Sequence, residues 1–375
     1  MRGYCPDIEN GLAIDFKNGQ IQIGSCCSTD KFDVGSNAPI DSYLKHPKLI
    51  EIKQENRKNY IPDDYCRTCV DIERIGQKSR RVGQIENIKS GFFTESKDNA
   101  LRRVDFNTGN LCNLKCSICN PRWSTAWIPD SLKLGHADRW SQYNLQDSIY
   151  YKKHEKFVVN DPSIFENLEF VRLYGGESLM NDIHYDFLKM LDDIGILGNV
   201  FVQYSTNGTF RVSDDVLKIW EKAKTLHMYF SIDDIGERFE YQRFGAKWDK
   251  VVENLYWFDY HLGDNRLLET LATVSYLNIC NLKNLLSWHE SNFPIKIDFQ
   301  PAWNDLSMEK ITQRQKNLLI ERLPRTLRHY ADFPAVVEEH DHKKVFDYLD
   351  SLDNIRNTNW RKTFPELVDI FEQHT

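Results

Sequence analysis

Leu111-Cys112-Asn113-Leu114-Lys115-Cys116-Ser117-Ile118-Cys119-Asn120-Pro121 sets three thiols in one short stretch at the spacing C-x3-C-x2-C. A structural zinc ion takes four ligands in a tetrahedron, and no further cysteine or histidine stands beside these three. A cubane iron-sulfur cluster on three thiolates instead leaves one iron open, which the amino and carboxylate groups of a small molecule can chelate. The plain alternative is three unrelated buried cysteines, since free cysteine is among the most buried residue types.

The stretch follows directly on Arg103-Val104-Asp105-Phe106-Asn107, the first of six short β-rich runs. The others are Phe170–Tyr174, Val200–Tyr204, His227–Ser231, Leu271–Ser275 and Ile295–Phe299. Helical spacing intervenes, as in Val216, Ile219, Trp220 and Ala223 behind a Ser213 cap, and in Val251, Val252, Leu255 and Phe258 after Trp248. Alternation of this kind predicts parallel strands with crossover helices, an α/β partial (β/α)6 TIM-like barrel over residues 96–305. Sites in such folds gather at the carboxyl ends of the strands, and a polar motif follows each of several runs. Gly175-Gly176-Glu177-Ser178 ends the second run, and its glycines permit close backbone approach beside a carboxylate. Ser205-Thr206-Asn207-Gly208-Thr209 ends the third and Ser231-Ile232-Asp233 the fourth, with Arg243 a little beyond. An ordinary glycine turn, polar turn and cap residues, and a solvated helix arginine are the alternatives here.

Together these motifs resemble the radical S-adenosylmethionine enzymes. The resemblance covers about residues 1–300. Two departures are visible: Ile118 stands where the family carries an aromatic, and Ser178 where its Gly-Gly-Glu-Pro motif has proline. The resemblance implies a 4Fe-4S cluster on Cys112, Cys116 and Cys119, with one iron chelated by S-adenosylmethionine. It implies that Gly175, Gly176 and Glu177 hold the cofactor's amino group, and that Ser205, Asn207, Ser231 and Asp233 lie on its side. Arg243 is implied to pair with its carboxylate, a task that suits a planar guanidinium. The implied chemistry is reductive cleavage of the sulfonium to a 5′-deoxyadenosyl radical that abstracts hydrogen from an unreactive carbon. An electron donor such as flavodoxin or ferredoxin is implied with it.

Five of the nine cysteines lie in residues 1–95: Cys5, the adjacent Cys26 and Cys27, and Cys66 and Cys69 as C-x2-C. Leu12–Phe16 and Gln20–Ile23 alternate around Asn18-Gly19, a strong hairpin signal, and Ile40 onward reads as a short helix. A four-cysteine zinc knuckle and an iron-sulfur site compete. The arrangement is similar to the auxiliary domains called SPASM and twitch, which implies a second 4Fe-4S cluster in a small amino-terminal module. Uncharacterised twitch-type relatives share that order and continue, as here, into a run like Glu73-Arg74-Ile75-Gly76-Gln77-Lys78-Ser79-Arg80. Adjacent residues on a strand face opposite ways, so the fourth ligand is Cys26 or Cys27, with Cys26 preferred.

At 375 residues the chain exceeds one ordinary core, and 41% apolar content suffices to fill a large one. A net charge of -7 offers no global attraction to nucleic acid or an anionic membrane. The amino terminus lacks the apolar core of a signal peptide and no run reaches membrane-spanning length, so a soluble cytoplasmic protein is expected. The connection from about 122 to 165, with Trp123, Trp127, Trp140, Tyr143, Tyr150 and Tyr151, either shapes a substrate pocket or packs the surface. Residues 306–375 read as a helical extension through Leu318, Leu319, Leu323, Leu327, Val345, Phe346, Leu349 and Leu352. Within it, His340-Asp341-His342 reads as a solvated charged run rather than a metal site, and Cys280 upstream as a structural thiol. Three functions stay open: oxidation or cross-linking of a peptide or protein side chain, oxidation or rearrangement of a small polar metabolite such as a sugar or nucleotide, and a non-catalytic iron-sulfur or zinc protein.

Overall fold

The computed structural model describes residues 2–17, 20–35, 39–74, 76, 78–94, 98–136, 159–302, 306–308, 312–323, 325, 327, 328 and 339–372. Its strands are β1 (Gly11–Lys17), β2 (Gln20–Gly24), β3 (Phe32–Gly35), β4 (Arg103–Asn107), β5 (Phe170–Tyr174), β6 (Phe201–Thr206), β7 (Thr225–Ser231), β8 (Arg266–Val274) and β9 (Lys296–Pro301). They form one sheet in the order β3-β2-β1-β4-β5-β6-β7-β8-β9. From β4 to β9 each strand lies parallel to the next in chain order. The amino-terminal hairpin adds to this sheet, because β1 runs parallel to β4, with Gly11 opposite Arg103 and Ile14 opposite Phe106. Residues 1–95 therefore share a sheet with the parallel strands. The Asn18-Gly19 turn lies outside the described residues, while Lys17 pairs with Gln20 across it.

Alternation gives the sheet two unlike faces. Val104, Phe106, Val171, Leu173, Val202, Tyr204, Met228 and Phe230 point into the main core. Opposite them pack Phe187, Leu188 and Leu191 of one helix (Ile183–Asp193), Ile219 and Trp220 of another (Asp214–Glu221), and Val251, Leu255 and Phe258 of a third (Trp248–His261). Within this core the Tyr204 hydroxyl lies 2.8 Å from His184 Nδ1 and accepts from Trp220 Nε1 at 3.1 Å. Burial pushes His184 down to about 4, so the imidazole is neutral there. Ser213 occupies the cap position of Asp214–Glu221, but its side chain makes no capping bond; its carbonyl accepts from the Leu217 amide. β8 starts at Arg266, five residues before the expected Leu271; its first half carries more exposed side chains and pairs along β7, with His227 Nε2 also 3.2 Å from Glu269 Oε2. The other face carries Asp105, Asn107, Arg172, Tyr174, Gln203, Ser205, His227, Tyr229 and Ser231, the intervening positions of the same strands.

After β9 the chain forms helices Gln313–Arg322 and Glu339–Arg356 and a short turn of helix at Trp360–Thr363. Leu319, Leu323, Val345, Phe346, Leu349, Trp360 and Phe364 make a second core with Tyr276, Leu277 and Leu282. Thr312 and Gln315 close a capping box at the start of Gln313–Arg322, which fixes where that helix begins. The side chains of His340, Asp341 and His342, like Trp140, Tyr143, Tyr150 and Tyr151, lie outside the described residues. No described helix is long and apolar enough to cross a membrane.

Candidate functional site

The Cys112–Cys119 loop leaves the carboxyl end of β4 and is tied down from several sides. Trp127 Nε1 donates to the Cys116 carbonyl at 2.8 Å, and Ser124 Oγ to that of Leu114 at 2.6 Å. The Lys115 amide donates to the Phe244 carbonyl at 2.9 Å and the Ser117 amide to that of Gln242 at 2.7 Å. Cys116 is buried, while Cys112 and Cys119 are half-buried. Burial pushes the Cys112 thiol up to about 12 and raises Cys119 as well. It also raises Cys116, against the pull of Arg243. Ile118 is half-buried against both cores.

The glycines of Gly175-Gly176-Glu177 meet this loop. A Cβ at Gly175, whose φ is +146, would stand 2.4 Å from the Gly109 carbonyl oxygen, and one at Gly176 would stand 2.5 Å from that of Leu111. The Gly176 amide donates to Gly109 O at 2.7 Å and the Glu177 amide to Leu111 O at 2.8 Å. Absence of side chains thus lets this stretch run backbone to backbone along the cluster loop. Glu177 is buried, and its carboxylate accepts from Thr206 Oγ1 at 2.9 Å, the Asn207 amide at 2.6 Å and the Leu179 amide at 3.2 Å. Burial pushes the carboxyl up and these donors oppose it. Thr206 is a site residue that the sequence reading passed over, although it stands inside the run ending β6.

Asn207 Nδ2 donates to Asn113 Oδ1 at 3.0 Å and lies 3.9 Å from Cys112 Sγ, so the end of β6 touches the cluster loop directly. Arg243 Nη2 pairs with Asp233 Oδ2 at 2.9 Å, and its Nη1 lies 4.0 Å from Cys116 Sγ. Asp233 Oδ1 accepts from the Thr273 amide at 2.8 Å. Arg243 is buried rather than solvated, and its Nε has no hydrogen-bond partner. Ser205 and Ser231 are half-buried on the polar face, opposite Tyr229 and Leu271 in register.

A second group of thiols sits beside the hairpin. Cys5, Cys26, Cys66 and Cys69 line one cavity together with Asp7, Ile8, Ser28, Thr29, Arg80 and Arg81. Burial pushes Cys5 up to about 12 and raises Cys26 and Cys66 too. Cys27 is absent from this lining. Its amide donates to Asp105 Oδ2 at 2.9 Å, and its Sγ lies 3.0 Å from Arg172 Nη2 and 3.6 Å from Arg80 Nη1. The two cysteines thus face different surroundings, although they stand in the turn after β2 and not on the strand expected from the sequence. Cys280 packs against the second core, and burial pushes it up to about 12.

Asp105 joins the hairpin to the sheet. It accepts from Arg172 at 2.7 Å and Arg80 at 2.9 Å, and Arg80 in turn pairs with Asp7 at 2.9 Å. Burial alone would raise the Asp105 carboxyl, but the Arg172 and Arg80 guanidiniums overcome it and hold the group well below the usual carboxylate range. Asp105→Asn would leave half-buried Arg172 without this carboxylate and Arg80 with Asp7 alone, and we expect it to cost about 1.5–3 kcal/mol in urea unfolding. The folded group titrates below its unfolded value of about 3.9, so this stabilisation is complete above that pH and fades only in stronger acid. A loss under 1 kcal/mol would contradict this account of the network.

Among the described residues, no three His, Cys, Asp or Glu side chains converge on a single metal ion. A cubane makes a different demand, because each thiolate binds its own iron. Three thiols on one loop, one buried and two half-buried, and four around one cavity suit that donor chemistry, and the partnerless Nε of buried Arg243 suits an anionic group beside Cys116.

No protein-family profile matches the chain, and neither does any curated protein. Among solved structures it is similar to anSMEcpe with bound AdoMet and the Kp18Cys peptide, at 13% identity and TM-score 0.38, over 68% of this chain and 62% of that one. SuiB of Streptococcus suis bound to its precursor peptide SuiA is similar at 12% identity and TM-score 0.33, over 98% of this chain and 75% of that one. SuiB bound to S-adenosylmethionine gives 11% identity and TM-score 0.34, over 96% and 72%. The chain therefore spans less than two thirds of the length of anSMEcpe.

Proposed function

We propose that the chain is a radical S-adenosylmethionine oxidoreductase that acts on a peptide or protein side chain in the cytoplasm. In this reading Cys112, Cys116 and Cys119 hold a 4Fe-4S cluster in a partial barrel of residues 96–305. Residues 1–95 hold a second cluster on Cys5, Cys26, Cys66 and Cys69, and residues 306–375 form an extension. The observation that carries the reading is the meeting of four strand ends at one loop: the three thiols after β4, Gly175-Gly176-Glu177 after β5, Asn207 after β6, and Asp233 with Arg243 after β7. When bound, the cluster and S-adenosylmethionine supply one-electron cleavage of the sulfonium and hydrogen abstraction from an unreactive carbon. Arg243, braced by Asp233, offers its free Nε to a carboxylate. Glu177 holds the ends of β5 and β6 against each other and so fixes the space beside Cys112. Ile118 supplies an apolar surface at the loop.

A pocket of about 350 Å³ opens on the same polar face, nearer the amino ends of the strands. Phe92, Phe93, Phe170 and Phe201 form an interlocked aromatic wall there, beside Arg80, Arg172, Lys296 and Glu269. The lining is amphipathic, but the cavity lies toward the strand ends opposite the cluster loop and shares none of its residues. The charged Arg172–Asp105 pair above it favours a second reading, a small polar metabolite. The test is anaerobic reconstitution and reduction with dithionite. The wild type is expected to form 5′-deoxyadenosine from S-adenosylmethionine, and Cys116→Ala to form none; turnover in that variant would overturn the assignment.

A further inference from the structure

The last residue of helix Glu339–Arg356 reaches the cluster loop from far along the chain. Arg356 Nε donates to Asp130 Oδ2 at 3.0 Å, and both side chains are buried, at 3% and 2% exposed. Asp130 also accepts from Lys115 Nζ, inside the loop, at 2.8 Å. The Arg356 guanidinium carbon lies 4.8 Å from the centre of the Trp127 ring and 5.0 Å from that of Phe244. Both residues are tied to the loop, Trp127 through its ring N–H to the Cys116 carbonyl and Phe244 through its backbone carbonyl, which accepts from the Lys115 amide. Tyr348, two turns earlier on the same helix, donates its hydroxyl to the Ser117 carbonyl at 2.8 Å. The carboxyl-terminal helix thus clasps the stretch from Lys115 to Ser117.

Charge does not balance at this clasp. One carboxylate, Asp130, faces two cations, Lys115 and Arg356, and Arg356 Nη2 is buried with no hydrogen-bond partner. A buried cation without full compensation is costly unless a further negative charge stands nearby. A cubane core on three thiolates carries net negative charge in both redox states and one more on reduction, and its potential responds to nearby charge and to burial. We propose that Arg356 is a positioning residue whose fixed charge, held in the Trp127–Phe244 clamp, stabilises the reduced cluster on Cys112, Cys116 and Cys119. The inference rests on the cluster assignment above. It adds a tuning group from the carboxyl-terminal helix, and an aromatic–guanidinium stack is well suited to keep a charge in place where water is excluded.

The test is an EPR-monitored redox titration of the reconstituted full chain, following the signal that responds to added S-adenosylmethionine. In Arg356→Gln the reduced-to-oxidised ratio at a fixed potential should fall about tenfold, equivalent to about 59 mV for a one-electron couple. Asp130→Asn removes the opposing charge and should move the potential upward, whereas simple loosening of the clasp would move both variants the same way. Arg356→Lys keeps the charge and should stay near the wild type. An unchanged potential in Arg356→Gln, or shifts of the same sign in Arg356→Gln and Asp130→Asn, would overturn the proposal. If Arg356→Gln holds no cluster, Arg356→Lys decides: a cluster of wild-type potential supports the charge role, and its loss there too overturns it. A wild type with no responsive signal removes the cluster assignment itself, a result distinct from a responsive wild type with indifferent variants.

Discussion

A triple variant lacking Cys112, Cys116 and Cys119 is expected to keep about half the iron of the reconstituted wild type, which itself should bind about eight irons per chain. The expectation rests on the separation of the thiols into two groups, three on the loop after β4 and four around the cavity beside the hairpin. The cluster remaining in the variant should be indifferent to S-adenosylmethionine, because four cysteines close all four irons. Within that background Cys26→Ser should lose the cluster and Cys27→Ser should keep it, since Cys27 Sγ lies against Arg172 and not in the cavity lining. Iron analysis with Mössbauer spectroscopy checks each point. Zinc without iron would make the hairpin region a structural knuckle and end its redox role. A remaining cluster that answers to a candidate substrate would mean an open iron and substrate ligation there.

Gly176→Ala should damage cofactor binding out of proportion to the size of a methyl group. The added Cβ would meet the Leu111 carbonyl oxygen at 2.5 Å and the Asn110 carbonyl carbon at 2.8 Å, both backbone atoms that cannot rotate away. The loop must shift, and overpacking of this kind costs about 1–3 kcal/mol, or roughly five- to 150-fold in affinity for S-adenosylmethionine. Gly83→Ala, whose Cβ would only approach Lys78 Cε at 3.8 Å, is the matched control and should bind normally. Calorimetry on cluster-loaded protein measures the difference. Equal affinities would mean that the contact between this stretch and the cluster loop has no bearing on the cofactor.

Local pattern carried the parallel strands: Val104 and Phe106, or Val202 and Tyr204, alternate toward the helices just as their spacing predicts. Polar motifs at the strand ends were legible for the same reason, since a short polar run after an apolar one has few places to go. What the pattern left out depends on partners distant in sequence. Leu12 and Ile14 signal a hairpin but not that β1 lies parallel to β4, a choice made by side-chain packing and by the Asp7–Arg103 and Asp105–Arg80 pairs. The glycines of Gly175-Gly176 read as room for a ligand, whereas the nearest atoms belong to the chain itself. Arg356 reads as an ordinary basic residue at a helix end. Only the folded chain brings it under Trp127 and Phe244.

The most direct measurement uses protein in which Cys5, Cys66 and Cys69 are replaced by alanine, so that only the Cys112–Cys119 loop can hold iron. Reduced with dithionite, this protein should give a 4Fe-4S EPR signal that changes when S-adenosylmethionine is added, as the cofactor's amino and carboxylate groups take the open iron. A signal that forms but stays the same at saturating S-adenosylmethionine would contradict the assignment of the loop.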